Sequence, residues 1–223
     1  MNREIRSYVL RQGRTTPAQK RALEALYPRF GLVCEDKLLD KKAVFGRDAP
    51  LVLEIGSGMG ETTAEIAQGH PETDFLAVEV HGPGVGSLLN RIAAAGLANV
   101  RVIRHDALEV LGRMIADGAL AALHLYFPDP WPKKRHHKRR LVQPAFAALA
   151  ARKLAPGAVF HAATDWPEYA AHIEAVLGES GLFERTERGL VERPVTKFER
   201  RGQRLGHAIR DLYFRRGKAP AAR

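Results

Sequence analysis

A chain of 223 residues, 45% of them hydrophobic, can bury a core of its own. No apolar run in it approaches a bilayer span, and residues 1–7 lack a signal peptide's apolar segment. A lone cysteine, Cys34, excludes an internal disulfide and fits a reducing cytosol, and no CxxC or HExxH pattern points to a zinc site. A net charge of +10 and a pI near 10.0 make nucleic acid the expected partner, because basic side chains neutralise phosphates and release counterions. A membrane surface would also require an amphipathic anchor, and none stands out.

In chain order, residues 1–45 read as a basic arm carrying Arg3, Arg6, Arg11, Arg14, Lys20 and Arg21, with Thr16-Pro17 heading a short helix over 19–26. From Pro50 onward strands and helices alternate. Strands are predicted at 51–55, 74–79, 100–104, 120–127 and 158–163, and helices at 61–68, 85–95, 108–116, 143–154 and 167–179. Repeated βα units predict a mostly parallel, Rossmann-like α/β sheet with helices on both faces, occupying residues 46–223. Residues 183–190 and 208–214 have no clear helix between them and predict a closing antiparallel pair.

The turn after the first strand of this sheet reads Glu54-Ile55-Gly56-Ser57-Gly58-Met59-Gly60. Gly56, Gly58 and Gly60 let a backbone approach a ligand closely. Their G-x-G-x-G spacing differs from the G-x-G-x-x-G of nicotinamide sites, and Glu54 would repel a pyrophosphate. A cationic cofactor such as S-adenosyl-L-methionine suits that acid better. Glu79 ends the second strand, where an acid ~20 residues past the glycines takes a ribose. Asp106 follows the third strand, placed for an adenine amine or, as the plainer alternative, a helix N-cap.

The stretch Tyr126-Phe127-Pro128-Asp129-Pro130-Trp131-Pro132 ends the fourth strand. Prolines on both sides of Asp129 stiffen the turn, at the strand end where open α/β sheets keep reactive groups. Lys133, Lys134, Arg135, His136, His137, Lys138, Arg139 and Arg140 follow at once, a run suited to gripping phosphates. Trp131 reads either as a plate for a base or as support packed under the loop. Glu199 lies in a polar link, its plain alternative being an ion pair with Arg200 or Arg201.

These residues resemble the bacterial tRNA (guanine-N7)-methyltransferases over most of the chain. The match takes in Arg6-Ser7-Tyr8, Arg11-Gln12-Gly13-Arg14, the Glu-x-Gly-x-Gly-x-Gly loop, the segment from Phe127 through Lys134, Thr164-Asp165, and Thr196 through Gly202. Gly206-His207 leading to Ile209-Arg210-Asp211-Leu212-Tyr213-Phe214 completes it. Tyr8 stands where the family often has Phe. The resemblance implies a class I, seven-stranded methyltransferase fold with an antiparallel C-terminal strand, and methylation of a variable-loop guanosine of tRNA. It implies that Glu54, Glu79, Asp106 and Asp129 contact the cofactor and that Asp129 is also the catalytic carboxylate. It implies further that Lys133, Asp165, Thr196, Lys197, Phe198 and Glu199 contact the guanosine, and that residues 135–140 touch RNA.

An adenine amino-group methyltransferase would want two prolines after the acid, where Asp129 has one before Trp131. A non-enzymatic RNA-binding protein would have little use for three cofactor acids. The sequence leaves monomer and homodimer open.

Overall fold

The computed structural model describes residues 6–8, 13–195, 199 and 208–217. Thr16 caps the first helix, α1 (Pro17–Ala25): its hydroxyl accepts from the Gln19 N–H while the Gln19 side chain accepts from the Thr16 N–H. A short helix α2 (Tyr27–Phe30), a two-residue strand β1 (Gly31–Leu32) and helix α3 (Lys41–Phe45) follow. The alternating part comprises β2 (Leu51–Ile55), α4 (Glu61–Gly69), β3 (Asp74–Val78), α5 (Gly82–Ala94), β4 (Val100–Ile103), α6 (Ala107–Arg113) and β5 (Leu120–Tyr126). It continues with α7 (Pro144–Lys153), β6 (Leu154–Thr164) and α8 (Pro167–Glu179), and closes with β7 (Phe183–Thr186) and β8 (Arg210–Arg216).

Among the described residues these strands form one sheet in the order β1-β4-β3-β2-β5-β6-β8-β7, parallel except that β8 runs antiparallel to both β6 and β7. The seven expected strands are present. The eighth, β1, was not expected because two residues show no periodicity; it extends the edge by pairing with β4. Helix α5 starts three residues earlier than expected. Gly82-Pro83-Gly84 looks like a turn in sequence, yet Pro83 sets a helical φ in the first turn and Gly84 lets α5 press on the glycine loop. A Cβ on Gly84 would lie 2.4 Å from the Gly58 carbonyl oxygen.

Buried strand residues alternate between two apolar clusters. Leu51, Leu53 and Ile55 of β2 join Leu123, Phe160 and Tyr169 on one face, while Val52 joins Phe75, Leu88 and Ile92 on the other. The chain runs from β2 outward through β3 and β4, then returns to place β5 on the other side of β2. Strand order therefore reverses between β2 and β5, and the crevice outside their carboxyl ends is where such sheets bind ligands.

Candidate active site

Both sides of that crevice are built from turns with left-handed backbone. On the β2 side Gly56, Gly58 and Gly60 have φ of 74°, 55° and 75°. Gly60 has a further need, since a Cβ there would lie 2.6 Å from Leu88. The loop is tied to β3: Gly56 N–H donates to the Val78 carbonyl (2.7 Å), and Gly58 N–H donates to Oε2 of Glu79 (2.8 Å). The other Glu79 oxygen accepts from His81 N–H at 2.8 Å. Glu79 therefore braces the loop as well as lining the crevice.

On the β5 side Phe127 and Trp131 are the two described non-glycine residues with positive φ, 49° and 47°. They bracket Pro128-Asp129-Pro130, and each conformation costs ~1–3 kcal/mol unless its surroundings hold it. Several contacts do. Phe127 N–H donates to the Ala163 carbonyl at 2.8 Å. Arg140 Nε donates to the Pro130 carbonyl at 2.9 Å. Trp131 Nε1 donates to the Ser7 carbonyl at 3.1 Å, and the Arg139 guanidinium lies 4.1 Å from the indole centroid. Of the two readings of Trp131, the structure displays the loop support. Asp129 itself is exposed at the crevice.

Between the two sides lies a cavity of about 240 Å³ lined by Ile55, Gly56, Glu79, Asp106, Ala107, Leu125, Phe127, Asp129 and Leu141, with Ser7 and Tyr8 also against it. It brings together Gly56, Glu79, Asp106 and Asp129 from four separate turns. Asp106 caps α6, its Oδ1 accepting from Leu108 N–H (2.8 Å), and Tyr8 is hydrogen-bonded to it. Burial, and then the charge of Asp106, raises the Tyr8 phenol above its usual range.

Glu54 does not line the cavity. It is buried, with Oε2 accepting from the Thr63 hydroxyl at 2.7 Å. Burial pushes its carboxyl up to about 7, the Thr63 bond opposing the rise and nearby Glu79 adding to it. The stability consequence has a definite sign. Below the usual value of 4.5, folded and unfolded states are both protonated. Between 4.5 and about 7 the unfolded chain has lost a proton that the folded chain keeps, so stability falls as pH rises, by ~3 kcal/mol in all. Glu54→Gln is expected to match the parent near pH 4 and to exceed it in stability by ~2–3 kcal/mol at pH 8. Denaturant unfolding at both pH values measures this, and a difference independent of pH contradicts it.

The basic run divides in two. Residues Lys134–Arg139 form a 3-10 helix, with Lys133, Lys134, Arg135 and Lys138 exposed and His136 and His137 half-buried. Arg139 donates to the carbonyls of Arg6 (3.2 Å) and Tyr8 (3.4 Å). Arg140 is buried, with its guanidinium 3.2 Å from Glu168 and 5.1 Å from the Tyr169 centroid. It anchors the loop from inside instead of presenting a surface charge, and a run of eight adjacent polar residues gives no sign of which one turns inward. Asp165 follows β6 and is half-buried. Thr196, Lys197 and Phe198 lie outside the described residues. Glu199 is buried and paired with Arg193 at 2.5 Å.

The donor set fits S-adenosyl-L-methionine. The cavity joins apolar walls to three acids, Glu79, Asp106 and Asp129, and the buried Ser57 hydroxyl of the adjoining glycine loop has no hydrogen-bond partner among the described residues. Residues 48–212 match the sequence model of a family described as "Putative methyltransferase". The tRNA (guanine-N(7)-)-methyltransferase of Thiobacillus denitrificans is 56% identical over 216 residues, covering 95% of each chain. The protein of the same name from Aromatoleum aromaticum is 55% identical over 219 residues, covering 96% of this chain and 85% of its own.

The chain belongs to the tRNA (guanine-N(7)-)-methyltransferase family.

Among solved structures the 16S rRNA methyltransferase KamB superposes with a TM-score of 0.58 over 81% of this chain and 95% of its own, at 17% identity, a likeness of fold. For this member of the tRNA (guanine-N(7)-)-methyltransferase family, the sequence pointed to the glycine loop, Glu79, Asp106 and Asp129, which meet at one cavity. It did not point to Ser7, Tyr8 and Leu141 as cavity wall, to Thr63 as the partner of Glu54, or to Arg193. Two histidines inside buried strands, His124 and His161, were the available signal for a polar network at the sheet's centre.

Proposed function

We propose that this enzyme transfers a methyl group from S-adenosyl-L-methionine to N7 of a guanosine in the variable loop of tRNA. The observation that carries the proposal is the placement of Asp129: a carboxylate exposed at the mouth of the cofactor-type cavity, in a turn held rigid by left-handed residues on either side. Guanine N7 already carries a lone pair, so no proton has to leave before attack and no strong general base is needed. The residues' work is alignment and management of charge. When bound, S-adenosyl-L-methionine supplies an electrophilic methyl group on a sulfonium. Gly56 and Glu79 would hold its ribose and amino-acid portion, and Asp106 its adenine. A cationic group near Glu54 would draw that carboxyl back toward its charged form. As positive charge moves onto the purine, Asp129 stands next to it and stabilises the transfer. Asp165 and Glu199 would accept from the guanine N1–H and N2–H, fixing which edge faces the methyl group.

The direct test is label transfer from methyl-labelled S-adenosyl-L-methionine to unmodified tRNA transcripts. Label entering tRNA, and not an unstructured RNA of equal length, supports the proposal; label in neither contradicts it.

Lys133, Lys134, Arg135 and Lys138 would grip the tRNA backbone. Replacing all four with Ser is expected to weaken tRNA binding and flatten its dependence on log salt by roughly 0.7–0.9 for each phosphate no longer neutralised. Affinity for S-adenosyl-L-methionine should stay the same. Binding titrations at several salt concentrations decide, and an unchanged slope means that these cations do not touch RNA.

A further inference from the structure

A polar row, buried at Glu54, His124 and His161 and half-buried at Tyr213, crosses the sheet beside the proposed site. Glu54, His124, His161 and Tyr213 are register partners on β2, β5, β6 and β8. From this row a chain of hydrogen bonds leads outward. The Tyr126 hydroxyl is 3.0 Å from His161 Nδ1, and His161 Nε2 is 2.8 Å from Asp211 Oδ1. Burial lowers the His161 pKa in spite of Asp211, which favours the neutral ring. One tautomer then serves both bonds, with Nδ1 accepting from Tyr126 and Nε2–H donating to Asp211.

Asp211 in turn takes the Arg193 guanidinium in a fork, Nε to Oδ1 and Nη2 to Oδ2, both at 3.1 Å. Nη1 is left to donate to the Pro194 carbonyl at 3.2 Å and to Glu199 at 2.5 Å. The same guanidinium lies 5.3 Å from the Phe127 ring centroid and 5.8 Å from that of Tyr126, the two residues that lead into the Asp129 turn.

We infer that Arg193 is a positioning residue, which sets the Glu199 carboxylate relative to the Asp129 turn so that the guanine edge and N7 are held in one geometry. The inference rests on the proposed contact between Glu199 and guanosine. A planar guanidinium held twice by Asp211 has no freedom left about its own plane, so the direction of Nη1, and with it the place of Glu199, is determined. Asp211 is itself tied through His161 to Tyr126, three residues before Asp129. The two carboxylates come from loops about seventy residues apart in sequence, yet one buried network connects their supports. As a stabiliser such a buried ion pair is a poor choice, since apolar residues of equal volume often do as well. What it supplies is a fixed distance.

The test is a double-mutant cycle in the full chain with Arg193→Lys, Glu199→Gln and the pair together, measuring kcat and KM for tRNA transcripts, S-adenosyl-L-methionine affinity by calorimetry, and melting temperature. Lysine keeps the charge but cannot hold Asp211 in a fork and reach Glu199 as well. The expected result is a fall of tenfold or more in kcat for Arg193→Lys, with cofactor affinity within about threefold of the parent. The double variant should be no slower than Glu199→Gln alone, because Arg193 acts through Glu199. Losses that multiply in the double variant, or parental kcat in Arg193→Lys, overturn the inference. If Arg193→Lys fails to fold, Asp211→Asn loosens the fork while leaving Arg193 and Glu199 in place; it should lower kcat similarly, and an unchanged kcat is the overturning result. Parental kcat and KM in Glu199→Gln would instead remove the guanosine contact itself, and the positioning role with it, a distinct outcome from failure at Arg193.

Discussion

Asp129→Asn is expected to reduce turnover on tRNA by roughly 10²–10³-fold, the size seen when one preorganised charge-stabilising group is removed from an active site. The substitution keeps shape and removes charge. Asp129 is exposed, so no buried group is left without a partner and the melting temperature should move by no more than about a degree or two. The turn is held by Phe127, Trp131 and Arg140 through main-chain and ring contacts that do not involve the Asp129 carboxylate. The effect should therefore appear in kcat rather than in tRNA affinity. Methylation at the parental rate would mean that Asp129 is not the carboxylate that stabilises the transfer.

Glu79→Ala is expected to weaken S-adenosyl-L-methionine binding by about 100-fold or more, equivalent to ~2.7 kcal/mol. Two causes act together. The carboxylate proposed to hold the ribose is removed, and the Gly58 and His81 N–H groups are each deprived of an acceptor at 2.8 Å. The glycine loop then no longer has its brace to β3. Glu79→Gln, which keeps one acceptor oxygen, should fall between the parent and Ala. Affinity for tRNA should change by less than about threefold, because the basic loop lies on the other side of the crevice. Calorimetric titration with the cofactor measures the effect, and equal affinity in parent and Glu79→Ala contradicts the assignment.

How far the sequence showed these features depended on whether they were local. Leu51–Ile55 and Asp74–Val78 were readable as strands because every residue in them is buried, and their acids and glycines stand at strand ends that the βα alternation already places. The Asp129 turn was readable because two prolines restrict it without help from the rest of the molecule. β1 was not, being two residues that pair with the edge of β4 and show no periodicity of their own. The inward turn of Arg140 depends on Tyr169 and Glu168, which come from α8, and nothing in the run itself distinguishes it from Arg139. The Arg193 network is harder still, since it assembles side chains of β5, β6, β8 and the link before β8 through strand register. His161 inside a buried strand was its trace in sequence, because buried imidazoles are generally hydrogen-bonded. The neighbouring His124 makes ring contacts with Tyr126 and His161, and its Nδ1 has no hydrogen-bond partner among the described residues.

Guanine N7 is the proposed methyl acceptor, and replacing that single atom tests it. A tRNA transcript carrying 7-deazaguanosine at the variable-loop position keeps the Watson–Crick edge and replaces N7 by a carbon. With labelled S-adenosyl-L-methionine, the unmodified transcript should take up one methyl group and the deaza transcript none, while the two bind with similar affinity. Undiminished methylation of the deaza transcript would contradict N7 as the acceptor.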